Sequence, residues 1–190
     1  MFKDGDVALV EDCKRGNRGA MSQLVSQYER PVYNAAYRIL GSMDDAADTT
    51  QTVFLKVFEH LQDYDPQYKF FSWIYRIAIN ESLNQVKKRR HQEPLADSEA
   101  SSWQGPAQEL ESERLCNRVQ GAVMQLSEDY RTVVVLKHFS GCSYQEISQI
   151  LQLPEKTVKS RLYTARQVMK KVLEEDENLP AGLEENGEML

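Results

Sequence analysis

Residues 64 to 90, YDPQYKFFSWIYRIAINESLNQVKKRR, constrain the fold more than any other stretch of this chain. Wound as a helix from Lys69 at about 100° per residue, Phe71, Ile74, Tyr75, Ala78, Ile79, Leu83 and Val86 share one broad side. That side has to be covered by other elements. Arg76, Asn80, Asn84 and Lys87 occupy a narrow opposite sector with Trp73 at its border, and Lys88, Arg89 and Arg90 carry the charge further. This sector suits a polar, negative partner.

The preceding sequence supplies helices to cover the apolar side. Residues 6–15 and 18–40 keep apolar positions three and four apart, the second with Leu24, Tyr28, Val32, Ala35, Ala36 and Ile39. Pro31 is a possible kink and Gly41 a C-cap. Ser42 or Asp44 opens the next helix, 44–61, which is expected to bury Ala47, Val53 or Phe54, Val57, Phe58 and Leu61. Asp65-Pro66 marks a turn. Four helices in residues 1–91 predict one small helical domain.

Residues 92–112 change character. The window from Gln92 to Glu113 holds Pro94, Gly105, Pro106 and six acidic residues with no Lys or Arg, the composition of a flexible acidic linker. Helical spacing resumes at 113–126, with Leu115, Val119, Ala122, Val123 and Leu126, and at 128–139, which Ser127 can cap. Val133-Val134-Val135 has strand propensity, but Leu126, Tyr130, Val133, Val134 and Lys137 hold the helical period. After Gly141, Ser143-Tyr144-Gln145-Glu146 forms a capping box for a short helix to Gln152. Leu153-Pro154 breaks it, and another helix runs to about Leu173. Two helices joined so tightly form a helix-turn-helix. The expected fold is therefore all-α: two small helical domains, 1–91 and 113–173, the second containing the helix-turn-helix.

Formal charge is -6, yet seven acidic residues and no basic ones lie in 174–190, where composition predicts a disordered tail. Without that tail the balance is 23 − 22 = +1. Positive charge is clustered: 69–90 carries six Lys/Arg against Glu81, and 155–171 carries six against Glu155. Two basic faces suggest two contacts with a polyanion, although each could be a solvated helix face.

The last helix divides face by face. Val158, Leu162, Ala165 and Met169 form a packing stripe. Lys156, Thr157, Ser160, Tyr163, Thr164 and Gln167 point the other way, with Lys159, Arg166 and Lys170 along one margin and Arg161 along the other. Hydrogen-bonding side chains at the centre and cations at the edges fit a major groove, where the centre meets bases and the margins meet phosphates.

Four motifs, in order and at family spacing, resemble the extracytoplasmic-function (ECF) sigma factors of bacterial RNA polymerase. They are Asp48-Thr-Thr-Gln51-Thr-Val-Phe54, Phe70-Phe-Ser-Trp73-Ile-Tyr-Arg76-Ile-Ala78-Ile-Asn80, Ser143-Tyr-Gln-Glu146-Ile147 and Thr157-Val158-Lys159-Ser160-Arg161-Leu162. The resemblance covers about residues 5 to 173. It implies that Asp48, Gln51 and Phe54 meet the polymerase clamp, with Phe54 equally able to be core. It also implies that residues 64–90 open the proximal promoter element, that the helix-turn-helix reads the distal one, and that the linker follows the RNA exit path. An anti-sigma partner is implied as well. Thr49, Thr50 and Lys156 depart from the family pattern.

Strand opening requires capture of unstacked bases, each aromatic stack contributing roughly 1 to 3 kcal/mol. Tyr64, Tyr68, Phe70 and Trp73 are candidate stacking residues; Lys69, Arg76, Lys87 and Lys88 candidate phosphate contacts; Asn80 is a candidate base-edge reader, with Asn84 on the same polar face. The competing reading is an autonomous operator-binding regulator whose N-terminal helices sense a ligand or dimerise. An enzyme is disfavoured: His60, His91 and His138 lack metal spacing, no Gly-rich phosphate loop is present, and no cofactor is called for. Cys13, Cys116 and Cys142 suggest neither disulfides nor zinc, and with no apolar run near the roughly 18 residues of a membrane span the chain reads as cytoplasmic.

Overall fold

The computed structural model describes residues 6–92 and 111–177, so the linker and most of the acidic tail lie outside the described residues. Among the described residues eight α-helices follow in order: α1 (Asp6–Lys14), α2 (Arg18–Leu40), α3 (Met43–Glu59), α4 (Phe70–Gln92), α5 (Glu111–Met124), α6 (Glu128–Val134), α7 (Tyr144–Leu151) and α8 (Glu155–Glu177). A 3-10 turn at Leu61–Asp63 follows α3, and a π-helical turn at Val135–Phe139 extends α6.

Local chemistry sets the boundaries. The Asn17 side chain accepts from the Gly19 and Ala20 amides to start α2, and the Ser42 hydroxyl accepts from Asp45 to start α3. Gly41 ends α2 in the left-handed region, φ 71°, its N–H bonded to the Tyr37 carbonyl at 2.8 Å. A side chain at position 41 would be strained by that backbone and would meet Met124 Cε at 2.9 Å. Ser127 occupies the N-cap position of α6, but its hydroxyl makes no capping bond, contrary to the sequence expectation. Between α7 and α8 the left-handed residue is Gln152, φ 53°, while Lys156 lies inside α8; the missing glycine is therefore not required at 156.

In the N-terminal half, α2, α3 and α4 pack mutually and α1 lies on α2. Leu24, Tyr28, Val32, Val53, Val57, Phe70, Ile74, Tyr75, Ala78 and Ile79 fill this core. The α3 face is one residue off expectation: Ala46 is buried and Ala47 exposed, because Thr49 and Thr50 also turn inward. The Thr50 hydroxyl satisfies itself on the Ala46 carbonyl at 2.7 Å. In the C-terminal half, α8 packs on α5, α6 and α7 through Val158, Leu162 and Ala165. Leu115, expected to be inward, is 56% exposed.

The halves are in contact. α4 packs on α7, and α2 on α5, α6 and the π-helical turn, so buried side chains of both belong to one continuous cluster. Buried Arg131 on α6 donates to the carbonyls of Ile39 at 2.7 Å, Met124 at 2.6 Å and Leu126 at 3.0 Å. These sit at the C-terminal ends of α2 and α5, where carbonyls lack helical partners and a cation is favoured. Arg38 bonds Gln120 at 2.8 Å and stacks over Phe139 at 4.4 Å, and Arg90 pairs with Glu128 at 2.9 Å.

Candidate nucleic-acid interface

α4 presents two unlike faces because its sequence places apolar residues around most of the wheel. Phe71, Ile74, Tyr75, Ala78 and Ile79 are buried, Leu83 and Val86 half-buried. Burial pushes the Tyr75 hydroxyl up to about 12, with Ser140 opposing as a hydrogen-bond partner, so this phenol stays protonated inside the junction of α4 with the C-terminal half. Arg76, Asn80, Asn84 and Lys87 are exposed together, at the spacing that aligns them along one side.

The aromatic opening of this region is divided by the fold. Tyr68 is 55% exposed, and Trp73 is half-buried against Tyr64 and Phe70, with ring centroids 5.6 and 5.5 Å away. Tyr64 and Phe70 were both expected to stack on bases, but they are 3% and 2% exposed. Tyr64 lies edge-on to Phe70 at 5.3 Å, and its hydroxyl donates to the Tyr68 carbonyl at 2.7 Å. The pair supports Trp73 from beneath and presents no free ring face. Phe54, 8% exposed, is likewise core.

Lys69 is engaged across the halves: its ammonium lies 3.0 Å from the Glu146 carboxylate. Glu146 also completes the capping box of α7, accepting from the Ser143 amide at 2.8 Å while its own amide donates to the Ser143 hydroxyl at 3.1 Å. Burial alone would raise the pKa of this carboxyl; the bonds from Ser143 and Lys69 outweigh it and hold the group below its ordinary value.

On α3, Asp44, Asp48, Gln51 and Leu55 are exposed at spacings of four, three and four. Leu55, 66% exposed, was missed by the sequence reading although it falls one turn beyond Gln51 on the same side. Asp45 belongs elsewhere, paired with Arg89 and accepting from Gln85 of α4 at 3.3 Å. Asp48 and Asn84 line one polar cleft of about 390 Å³ between α3 and α4, with Thr49, Thr52, Gln85 and Lys88. Lys56 and Glu81 bridge the same two helices at 2.7 Å.

On α8 the packing stripe of Val158, Leu162 and Ala165 is buried where the helical spacing put it. Lys156, Lys159, Ser160, Tyr163, Arg166, Gln167 and Lys170 are exposed, Tyr163 at 68%, and Thr157 and Thr164 are half-buried beside the packing stripe. Arg161 is held by Asp129 of α6 at 2.7 Å, and Lys159 lies 5.4 Å over the Tyr144 ring. The structure thus separates α8 into a packed stripe and a wide polar face. Among the described residues no His, Cys, Asp and Glu group could hold a metal ion, and no helix is long and apolar enough to cross a membrane.

Comparison with known proteins matches both halves. The family model for sigma-70 region 2 matches residues 24–92, and that for sigma-70 region 4 matches residues 116–169. The chain is 30% identical over 177 residues to the ECF RNA polymerase sigma factor SigW of Bacillus subtilis, covering 86% of this chain and 94% of SigW. Among solved structures it is similar to CnrH, solved in complex with the cytosolic domain of CnrY: 26% identity, TM-score 0.72, 90% of this chain and 98% of that one. The sigma factor RpoE of Bartonella quintana, solved with the anti-sigma factor NepR, shares the fold at 22% identity and TM-score 0.65, over 82% of this chain and 97% of that one. With α4 inside the region 2 match, and α7 and most of α8 inside the region 4 match, this chain belongs to the ECF sigma factors of the sigma-70 family.

Proposed function

We infer that this chain is an alternative sigma factor that binds the RNA polymerase core, directs it to specific promoters and helps open the DNA. The observation that carries this reading is the pairing, in one chain, of two helices with polyanion-facing sides of different kinds. One is the narrow Arg76–Asn80–Asn84–Lys87 face of α4 and the other the wide face of α8.

Each face has its own task. The α8 face lays Ser160, Tyr163 and Gln167 against base edges, with Lys159, Arg166 and Lys170 on phosphates. On α4, Asn80 and Asn84 contact bases of the proximal element, Arg76, Lys87 and Lys88 hold the separated backbone, and Trp73 and Tyr68 stack on unpaired bases. Lys69 joins this set once its pair with Glu146 is broken, so engagement of the proximal element and separation of the two halves are linked. Asp48, Gln51 and Leu55 form the clamp-binding strip, in which an exposed apolar residue beside a carboxylate and an amide suits a basic, amphipathic partner helix. None of these roles needs a nucleophile, metal or nucleotide, so the protein acts by binding and not as an enzyme, in the cytoplasm. An anti-sigma partner is proposed from the family to which the chain belongs, CnrH having been solved with the cytosolic domain of CnrY bound.

The test is to combine the protein with core polymerase and a promoter library and map opened thymines with permanganate. Opening that depends on core, at a defined pair of elements, is expected. Trp73→Ala and Asn80→Ala should form closed complexes but show at least tenfold slower opening, equivalent to about 1.4 kcal/mol. Specific duplex opening without core would refute the reading.

A further inference from the structure

A groove at the far end of α8 has an apolar floor that the promoter reading does not use, although two of the phosphate-contacting cations stand at its edge. Val119 of α5, Val134 of α6, His138 and Phe139 of the π-helical turn, and Met169 and Leu173 of α8 wall a cavity of about 500 Å³. Arg166 and Lys170 stand at its edge, with Glu174 3.6 Å from Lys170. Leu115, one turn before Val119, is 56% exposed and prolongs the apolar strip along α5. An apolar trough with cations along its edge calls for an occupant that carries both apolar side chains and carboxylates.

Residues 178–190, NLPAGLEENGEML, have that composition: Leu179, Leu183, Met189 and Leu190 with Glu184, Glu185 and Glu188, and no Lys or Arg. α8 is described to Glu177, one turn beyond Leu173, so this segment begins at the groove's mouth. Pro180-Ala181-Gly182 is a sequence that ends a helix and reverses direction. Arg166 lies about 16 Å back along α8 from Glu177 at 1.5 Å per residue, within easy reach of a segment that spans up to about 40 Å when extended.

We propose that residues 178–190 fold back into this groove and act as an intramolecular competitor of DNA for Arg166 and Lys170. The docking stands on the groove alone, while the competition rests on the reading of α8 as the distal-element helix.

Cys116 is exposed whereas Cys13 and Cys142 are buried, so a nitroxide can be placed on Cys116, one turn before Val119, in the full chain. At low salt the amide signals of residues 183–190 should broaden, and they should recover in the Leu183→Ser/Met189→Ser chain, whose charge is unchanged. Absence of broadening, or broadening of residues 93–110 in their place, overturns the docking. The same double variant should bind a duplex carrying the distal element at least threefold more tightly, the scale of one or two surface ion pairs released. Equal affinity would overturn the competition. If holoenzyme shows no preference for promoter over random duplex, the distal-element reading fails, and the docking is judged on the broadening alone.

Discussion

α4 and α8 are both 23-residue helices, with five cations in the first and six in the second, yet the fold uses them in opposite ways. α4 is enclosed by α2, α3 and α7 and shows solvent a thin line of polar side chains. α8 buries one stripe and leaves most of its circumference exposed. In α4, function is attached to the core of the protein; in α8 it is detachable. A substitution in the first will disturb stability and opening together, while one in the second changes recognition and little else.

The largest expected effect tests the enclosed helix. Ile74→Ala removes a side chain with no exposure and should cost about 2 to 5 kcal/mol in urea unfolding; a cost below about 1 kcal/mol would show that α4 is not the keystone described. Arg131→Met should follow at about 2 to 3 kcal/mol, because three backbone carbonyls at two helix ends lose their donor. If only the C-terminal half became sensitive to protease, the bond to Ile39 would be shown to contribute little across the halves.

On the detachable helix, Arg166→Ala should leave stability within about 0.5 kcal/mol and flatten the salt dependence of duplex binding by about one logarithmic unit per unit. Ser160→Ala and Tyr163→Ala should instead alter base preference in a selection from randomised distal elements. The same preference in all three would contradict the division of the face. The smallest effect concerns the pair between the halves. Glu146 has a depressed pKa, so its stabilising contribution is present above the ordinary carboxylate range and is lost as pH falls through its folded value. With Lys69 half exposed, the pair should contribute under about 1 kcal/mol. Glu146→Gln should remove that acid-side loss, and an unchanged pH profile would argue against the pair.

Much of this was legible beforehand because helical period is a local property. The spacing of Val158, Leu162 and Ala165 located the α8 stripe, and that of Ile74, Ala78 and Ile79 the α4 core. What escaped depends on neighbours and not on period. Tyr64 stands in a loop, where no wheel assigns a direction, and Phe70 opens α4 where the neighbouring loop covers it. Leu115 kept the apolar spacing but has no partner helix over it among the described residues. Ala46 displaced Ala47 because two threonines, polar by type, are buried beside it, Thr50 satisfying its hydroxyl on the preceding turn. The contact between the halves rests on pairs as remote as Arg131 and Ile39, 92 positions apart, which no window of sequence links.

α8 also has a mechanical consequence. Its 23 residues make a rod about 35 Å long with no proline or glycine to absorb bending. Ser160 lies near one end and Leu173 near the other. Ser160 and Leu173 are about 20 Å apart along the helix, so a tilt of about 5° imposed at the Leu173 end would sweep the base-reading end by about 2 Å, enough to break a hydrogen bond. The helix is therefore a lever as well as a reader, and whatever leans on its far end changes which contacts its near end can make.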